Sequence, residues 1–121
     1  MSRPKIEHTQ LFIDGKFVDA IDGGSFETTD PSSGAVIVRV SEAKAADVDA
    51  AVMAASRAFE RGSVWRTMDA SSRGKLLFKL AELVERDASY LASLDALDNG
   101  KPYAEALGID LALSHKCFRC E

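Results

Sequence analysis

The sequence predicts a mixed α/β chain, α+β when taken as an isolated piece: N-terminal β-hairpins followed by three helices. Three observations carry this. Alternating apolar runs broken by Asp-Gly and Pro-Ser-Ser-Gly turns fill the first 40 residues. From about Asp47 the apolar residues switch to a period of three and four. A long leucine stripe then ends at Asn99-Gly100, with Pro102 beyond it to open another helix.

Residues 1–10 are polar, contain Pro4 and read as a flexible lead, leaving 11–121 as the domain. Leu11-Phe12-Ile13, Asp14-Gly15 and Lys16-Phe17-Val18 form an apolar run, a tight-turn pair and a second apolar run, the pattern of a two-residue hairpin. Asp22-Gly23-Gly24-Ser25 is a second turn, and Phe26 to Thr29 a short extended piece. In Asp30-Pro31-Ser32-Ser33-Gly34 the proline presets φ, the aspartate can accept from the backbone ahead, and the glycine exits. Val36 to Val40 is β-branched and reads as a strand.

Val48, Val52, Ala55 and Phe59 fall at helical spacing from Asp47 onward, with Gly62 as the stop. Lys44 stands where a capping side chain belongs and cannot accept a hydrogen bond. Ser63 to Met68 reads as a linker, with Trp65 as a plug for a core or helix interface. Asp69 or Ser71 can cap the next helix. Leu76, Leu77, Leu80, Leu83, Val84, Leu91, Leu94 and Leu97 make its apolar stripe, and a continuous helix from Ala70 to Ala96 would be about 40 Å long. Pro102 suits the first turn of a third helix, in which Leu107, Leu111 and Phe118 continue the stripe.

Composition narrows the function classes. The chain has 121 residues, 46% hydrophobic and 28% charged, within the range of globular proteins. Its net charge of -4 repels a phosphate backbone, so no nucleic acid is expected as partner. No apolar run is long enough to span a bilayer, and Met1 to Gln10 has neither a signal core nor an Arg-rich amphipathic pattern. The expectation is a cytoplasmic protein, or a part of an organellar parent with a different beginning.

Few residues offer chemistry. Gly23-Gly24 precedes no helix, so it is a turn and not a phosphate loop. His115, Cys117 and Cys120 offer three possible metal ligands, where structural zinc takes four, usually as two separated pairs. A redox Cys-x-x-Cys opens a helix, where the dipole favours the thiolate; this one lies at the far end of a helical stripe. The basic residues around the long helix interleave with acids, as on a solvated face. The residues themselves assign no catalytic role.

Taken together, several blocks resemble the aldehyde dehydrogenase superfamily. Leu11-Phe12-Ile13-Asp14-Gly15-Lys16-Phe17 resembles its opening hairpin, and Asp30-Pro31-Ser32-Ser33-Gly34 is similar to its Asn-Pro-(Ala/Ser)-Thr-Gly turn. Asp47 to Val52 with Ala58-Phe59 looks like its first helix. Gly62 to Gly74, Leu76 to Ala81 and Glu85-Arg86-Asp87 are the most specific stretch. Leu97-Asp98-Asn99-Gly100-Lys101-Pro102 is similar to the end of its long helix, and Lys116-Cys117-Phe118-Arg119 also fits.

The resemblance implies the N-terminal part of an NAD(P)-dependent aldehyde dehydrogenase, lying before the dinucleotide-binding core and the catalytic domain. The parent would oxidise a small aldehyde with NAD or NADP and water to a carboxylic acid. The hydride leaves a cysteine thiohemiacetal, and a glutamate-activated water releases the acid. Such parents form homo-oligomers, dimers or tetramers. In the family the reactive cysteine, the glutamate and the cofactor loops lie beyond position 121, and Cys117 lacks the Gly-Gln-x-Cys setting. The resemblance therefore places no catalytic and no cofactor-binding residue here, and implies a piece inactive on its own. It implies one partial metal site, for a monovalent cation: the backbone carbonyls of Thr28 and Thr29 and the carboxylate of Asp110, all hard oxygen ligands. After Arg119 the resemblance lapses at Cys120-Glu121, as in a truncated chain. The rival reading is a non-catalytic interaction module that associates with full-length subunits.

Overall fold

The computed structural model describes residues 3–119. The chain divides into two compact units. One comprises Ile6–Thr28 and Val36–Met68; the other comprises Met1–Lys5, Thr29–Ala35 and Asp69–Glu121.

The first unit opens on β1 (Leu11–Ile13) and β2 (Lys16–Val18), paired antiparallel with Leu11 opposite Val18 and Ile13 opposite Lys16. Asp14 and Gly15 both hold positive φ, 54° and 75°. Those are the angles of the primed turn that the right-handed strand twist selects, and aspartate and glycine adopt them most readily. The end of the polar lead is tied to this unit: the Ser41 N–H donates to the Thr9 carbonyl at 2.8 Å, and the His8 ring stacks on Phe17 with centroids 4.1 Å apart. β3 (Ser25–Thr29) and β4 (Val36–Ser41) form a second two-stranded sheet, on which Arg39 reaches Glu27 at 2.9 Å.

Helix α1 (Ala45–Ala58) follows, with Lys44 as N-cap. A lysine cannot accept from the first turn, so Asp47 caps from inside the helix. Its buried carboxylate accepts the Lys44 N–H and the Ile21 N–H, each at 2.9 Å. That pins the helix start to the turn after β2. The helix ends at Ala58, before the expected Gly62; Gly62, at φ 88°, serves the turn beyond. The expected linker holds one helical turn, α2 (Val64–Thr67), because Ser63 caps it, its Oγ accepting from the Arg66 N–H. Trp65 keeps 38% of its surface exposed.

The second unit is helical. α3 (Ala70–Arg86) starts at Asp69, whose carboxylate accepts from the Ser72 N–H and from the Ser71 and Ser72 hydroxyls at 2.6–2.9 Å. The single long helix expected from Ala70 to Ala96 is in fact two, since α4 spans Ala88–Asn99. The break is Asp87, at ψ 11°, whose carboxylate is engaged by the Arg86 guanidinium at 2.7 and 2.9 Å. Aspartate is a poor interior helix former, and here its side chain gives α4 no capping bond in exchange.

Pro102 is the N-cap of α5 (Tyr103–Glu105), one position earlier than expected. The third helix is not uniform. It widens into a π-helical stretch over Ala106–Leu111 before α6 (Ala112–Arg119). Gly108 lies inside the wide turn, where a residue without Cβ lowers the cost of leaving α geometry.

α6 packs on α3, and the π-helical stretch on α4. At these contacts Ala81, Ala92 and Ala106 are fully buried. Small residues let backbones approach closely. The leucines of the stripe lie around this centre: Leu91, Leu94 and Leu97 are half-buried, while Leu76 and Leu80 keep 50% and 40% of their surface exposed.

Candidate functional site

The sequence blocks that carry chemistry-bearing residues converge in the helical unit, where the Asp30–Gly34 turn meets the end of α4. The turn is closed by its own aspartate. Ser32 and Ser33 hydroxyls donate to the two Asp30 oxygens at 2.6 and 2.7 Å, the Ser32 N–H donates at 2.8 Å, and the Gly34 N–H reaches the Asp30 carbonyl at 2.7 Å. These bonds favour the charged form, so Asp30 sits below the usual carboxylate range, the Ser32 and Ser33 hydroxyls being the main cause. A carboxylate so stabilised takes protons poorly near neutral pH, which suits a structural latch and not a general base.

Pro31 of this turn lies against Gly100, the residue that ends α4 at φ 81°. A Cβ at Gly100 would stand 2.8 Å from the Pro31 Cγ. Glycine is thus required twice, by its left-handed backbone and by the proline ring. One residue on, Lys101 Nζ meets Asp110 Oδ2 at 2.5 Å, with Asp95 at 3.9 Å. The bond to Asp110 is the main cause that raises the Lys101 pKa above its ordinary value. Lys101 is therefore an ammonium, the form that cannot act as a nucleophile.

An open cleft of about 360 Å³ runs beside the turn. Arg3 and Pro4 border it on one side, Asp30, Ser32 and Ser33 on another, and Ser93 and Leu97 of α4 line it. Its acidic group is the latched Asp30. Ser93 donates to the Ser89 carbonyl of its own helix at 2.8 Å.

The residues expected to bind a cation are distributed as follows. Thr28 closes the sheet unit, Thr29 begins the 29–35 segment of the helical unit, and Asp110 lies in the π-helical stretch. The Asp110 carboxylate has the chemistry of a hard-cation ligand, yet one of its oxygens already holds an ammonium. A monovalent cation there competes with Lys101. Of the three residues weighed as metal ligands, Cys120 lies outside the described residues. His115 Nδ1 is 3.1 Å from the Leu111 carbonyl, and Cys117 is exposed two positions further on, at a spacing where helix side chains do not face each other. Among the described residues no three His, Cys, Asp or Glu side chains group as a metal site. No helix among them is long and apolar enough to cross a membrane.

Comparison with known proteins identifies the class to which the hairpin, the latched turn and the helix-end glycine belong. The sequence model of the aldehyde dehydrogenase family matches residues 17–120, and the chain belongs to that family. It is 50% identical over 117 residues to the mitochondrial aldehyde dehydrogenase of Rattus norvegicus, an alignment covering 97% of this chain and 22% of that protein. It is 52% identical over 116 residues to aldehyde dehydrogenase X, mitochondrial, of Bos taurus, covering 96% of this chain and 23% of that one. A Bacillus cereus aldehyde dehydrogenase solved as its NAD+ complex superposes with a TM-score of 0.91 at 40% identity, over 98% of this chain and 26% of that one. The chain thus spans between a fifth and about a quarter of the length of these relatives.

The Pro31–Gly100 contact and the Lys101–Asp110 pair escaped sequence reasoning. Both join residues far apart along the chain or across a helix whose register a π-turn alters. The proline and the glycine were each legible as turn residues, but nothing in the sequence links them.

Proposed function

We propose that this chain supplies the structural opening of an NAD(P)-dependent aldehyde dehydrogenase and is catalytically silent alone. The parent reaction is oxidation of an aldehyde by NAD(P)+ and water to the carboxylic acid, through a cysteine thiohemiacetal, in a dimeric or tetrameric enzyme. The observation that carries the reading is the coverage: 97% of the chain aligns within only 22% of the rat enzyme. The local chemistry supports it. Asp30 is latched, Lys101 is charged, and the imidazole two residues before Cys117 contacts a backbone carbonyl. Covalent aldehyde oxidation needs a thiol with a base in reach. The test is to mix the purified chain with acetaldehyde and NAD+ and follow reduced nicotinamide. The expected trace equals buffer; turnover that survives repurification and vanishes in Cys117→Ser would overturn the reading.

A second reading, association with full-length subunits as an interaction module, is favoured by the apolar surface left open. Val48, Val52 and Phe59 each keep more than half of their surface exposed. The monovalent-cation proposal keeps Thr28, Thr29 and Asp110. With the competing ammonium removed, Lys101→Met should bind potassium more tightly than the parent chain in a titration followed by calorimetry; equal binding would remove Asp110 from the set.

A further inference from the structure

The end of α4 carries a reactive dipeptide under restraint. We infer that Asn99-Gly100 is a site of spontaneous covalent modification, deamidation of Asn99, and that the contact of Pro31 with Gly100 holds the reaction in check. Asn99 is the only asparagine of the chain, and it is exposed. The chemistry needs no enzyme. The main-chain nitrogen of Gly100 bonds to the side-chain Cγ of Asn99, the Cγ–Nδ2 bond breaks, and the proton of the Gly100 N–H leaves with the amide as ammonia. One water then opens the five-membered imide at either carbonyl, giving aspartate or isoaspartate. Nothing is oxidised or reduced. A following glycine opposes the attack least, because no Cβ shields its nitrogen.

Two features of the fold oppose it. Asn99 is the last residue of α4, and the Gly100 N–H donates to the Ala96 carbonyl at 3.0 Å. A helical ψ at Asn99 turns the Gly100 nitrogen away from Cγ, and the hydrogen bond holds its proton. Ring closure therefore requires that bond to open. It is the terminal bond of the helix, and helix ends open at the least cost. Pro31 is the second feature. A Cβ on Gly100 would stand 2.8 Å from the Pro31 Cγ, and the turn that carries the proline is closed by Asp30. Gly100 swings only when the proline gives way. Either product harms the joint. Isoaspartate adds a methylene to the main chain next to Gly100, where the proline leaves little room. Aspartate adds a negative charge to the negative end of the helix, beside Asp98.

The test incubates the purified chain, its Pro31→Ala and Asn99→Gln variants, and a synthetic peptide spanning residues 94–103 under the same conditions. Mass spectrometry of the segment holding residue 99 follows the gain from amide to acid. Asp14-Gly15 and Asp22-Gly23 can close the same ring only by losing water, which hydration restores without a change in mass. The peptide should convert fastest and the folded chain about tenfold or more slowly, because only its opened fraction reacts. Pro31→Ala should convert about threefold or more faster than the parent chain, with faster hydrogen exchange at the Gly100 amide. Asn99→Gln should gain no mass over the same period. No conversion in the peptide overturns the site. Conversion of the folded chain at the peptide's rate overturns the restraint, as does a Pro31→Ala rate equal to the parent's. Where circular dichroism shows Pro31→Ala unfolded, Ser33→Ala takes its place, since it loosens the turn by one hydrogen bond to Asp30. Equal conversion then overturns the restraint in the same way.

Discussion

Three single residues fix the ends of helices. Asp47 replaces the cap that Lys44 cannot make, and it is the buried polar residue of the described core. Removing its carboxylate strands two backbone donors, Ile21 and Lys44, at a cost of about 1–3 kcal/mol. Asp47→Ala should lower the chain's stability by that order in urea titration; an unchanged midpoint would mean that the bonds are replaced by water. Gly100 is the second. Gly100→Ala meets both an unfavourable φ and the Pro31 ring, and should cost about 1–3 kcal/mol, more than a helix-end glycine free of contacts. Asp69 is the third. Hydrogen bonds from Ser71 and Ser72 hold its pKa far below the ordinary aspartate value of 3.8. A folded-state pKa below the unfolded one contributes stability that is complete above about 4 and is lost as pH falls through the folded value. Melting temperatures of the chain and of Asp69→Asn should therefore differ at neutral pH and converge as the solution is acidified below 3.8. Divergence on acidification would contradict the assignment.

At the scale of elements, turn chemistry was the most legible part of the sequence. Asp14-Gly15, Asp30 to Gly34 and Asn99-Gly100 each do what their residue types demand, because φ preference and side-chain acceptors act within a few residues. Periodicity located the helices without saying which residues they bury. The line Val48, Val52, Ala55, Phe59 is the open face of α1, and the centre of the helical unit is Ala81, Ala92 and Ala106. Alanine favours helix without marking a face, so a small-residue contact leaves no apolar pattern to read. The break at Asp87 was likewise hidden by an uninterrupted stripe. Asp87→Ala removes the Arg86 pairing that competes at the junction, and should increase the helical circular dichroism signal. A decrease would show that Asp87 supports α4 in a way its bonds do not reveal.

For the whole molecule, exposed apolar residues are the informative quantity. A free-standing domain of this length buries its large side chains first. Here Phe12, Ile21, Val64 and Leu113 each keep more than half of their surface exposed, in addition to Val48, Val52 and Phe59. That surface, with coverage of 22% of the rat enzyme, is the physical basis for reading the chain as one part of a larger catalytic fold. The family was legible from ordered blocks between Leu11 and Arg119, and the family match over residues 17–120 agrees. The candidate site was less legible: Asp110 was picked out by position, while the ammonium beside it emerged only from the geometry.

Cofactor handling is proposed to belong to the portion of the family fold outside these residues. Isothermal titration of the purified chain with NAD+ tests it most directly. The expected result is no saturable heat up to millimolar cofactor for the chain, and saturable binding by the full-length Bacillus cereus enzyme under the same conditions. A saturable NAD+ isotherm for the chain by itself would contradict it.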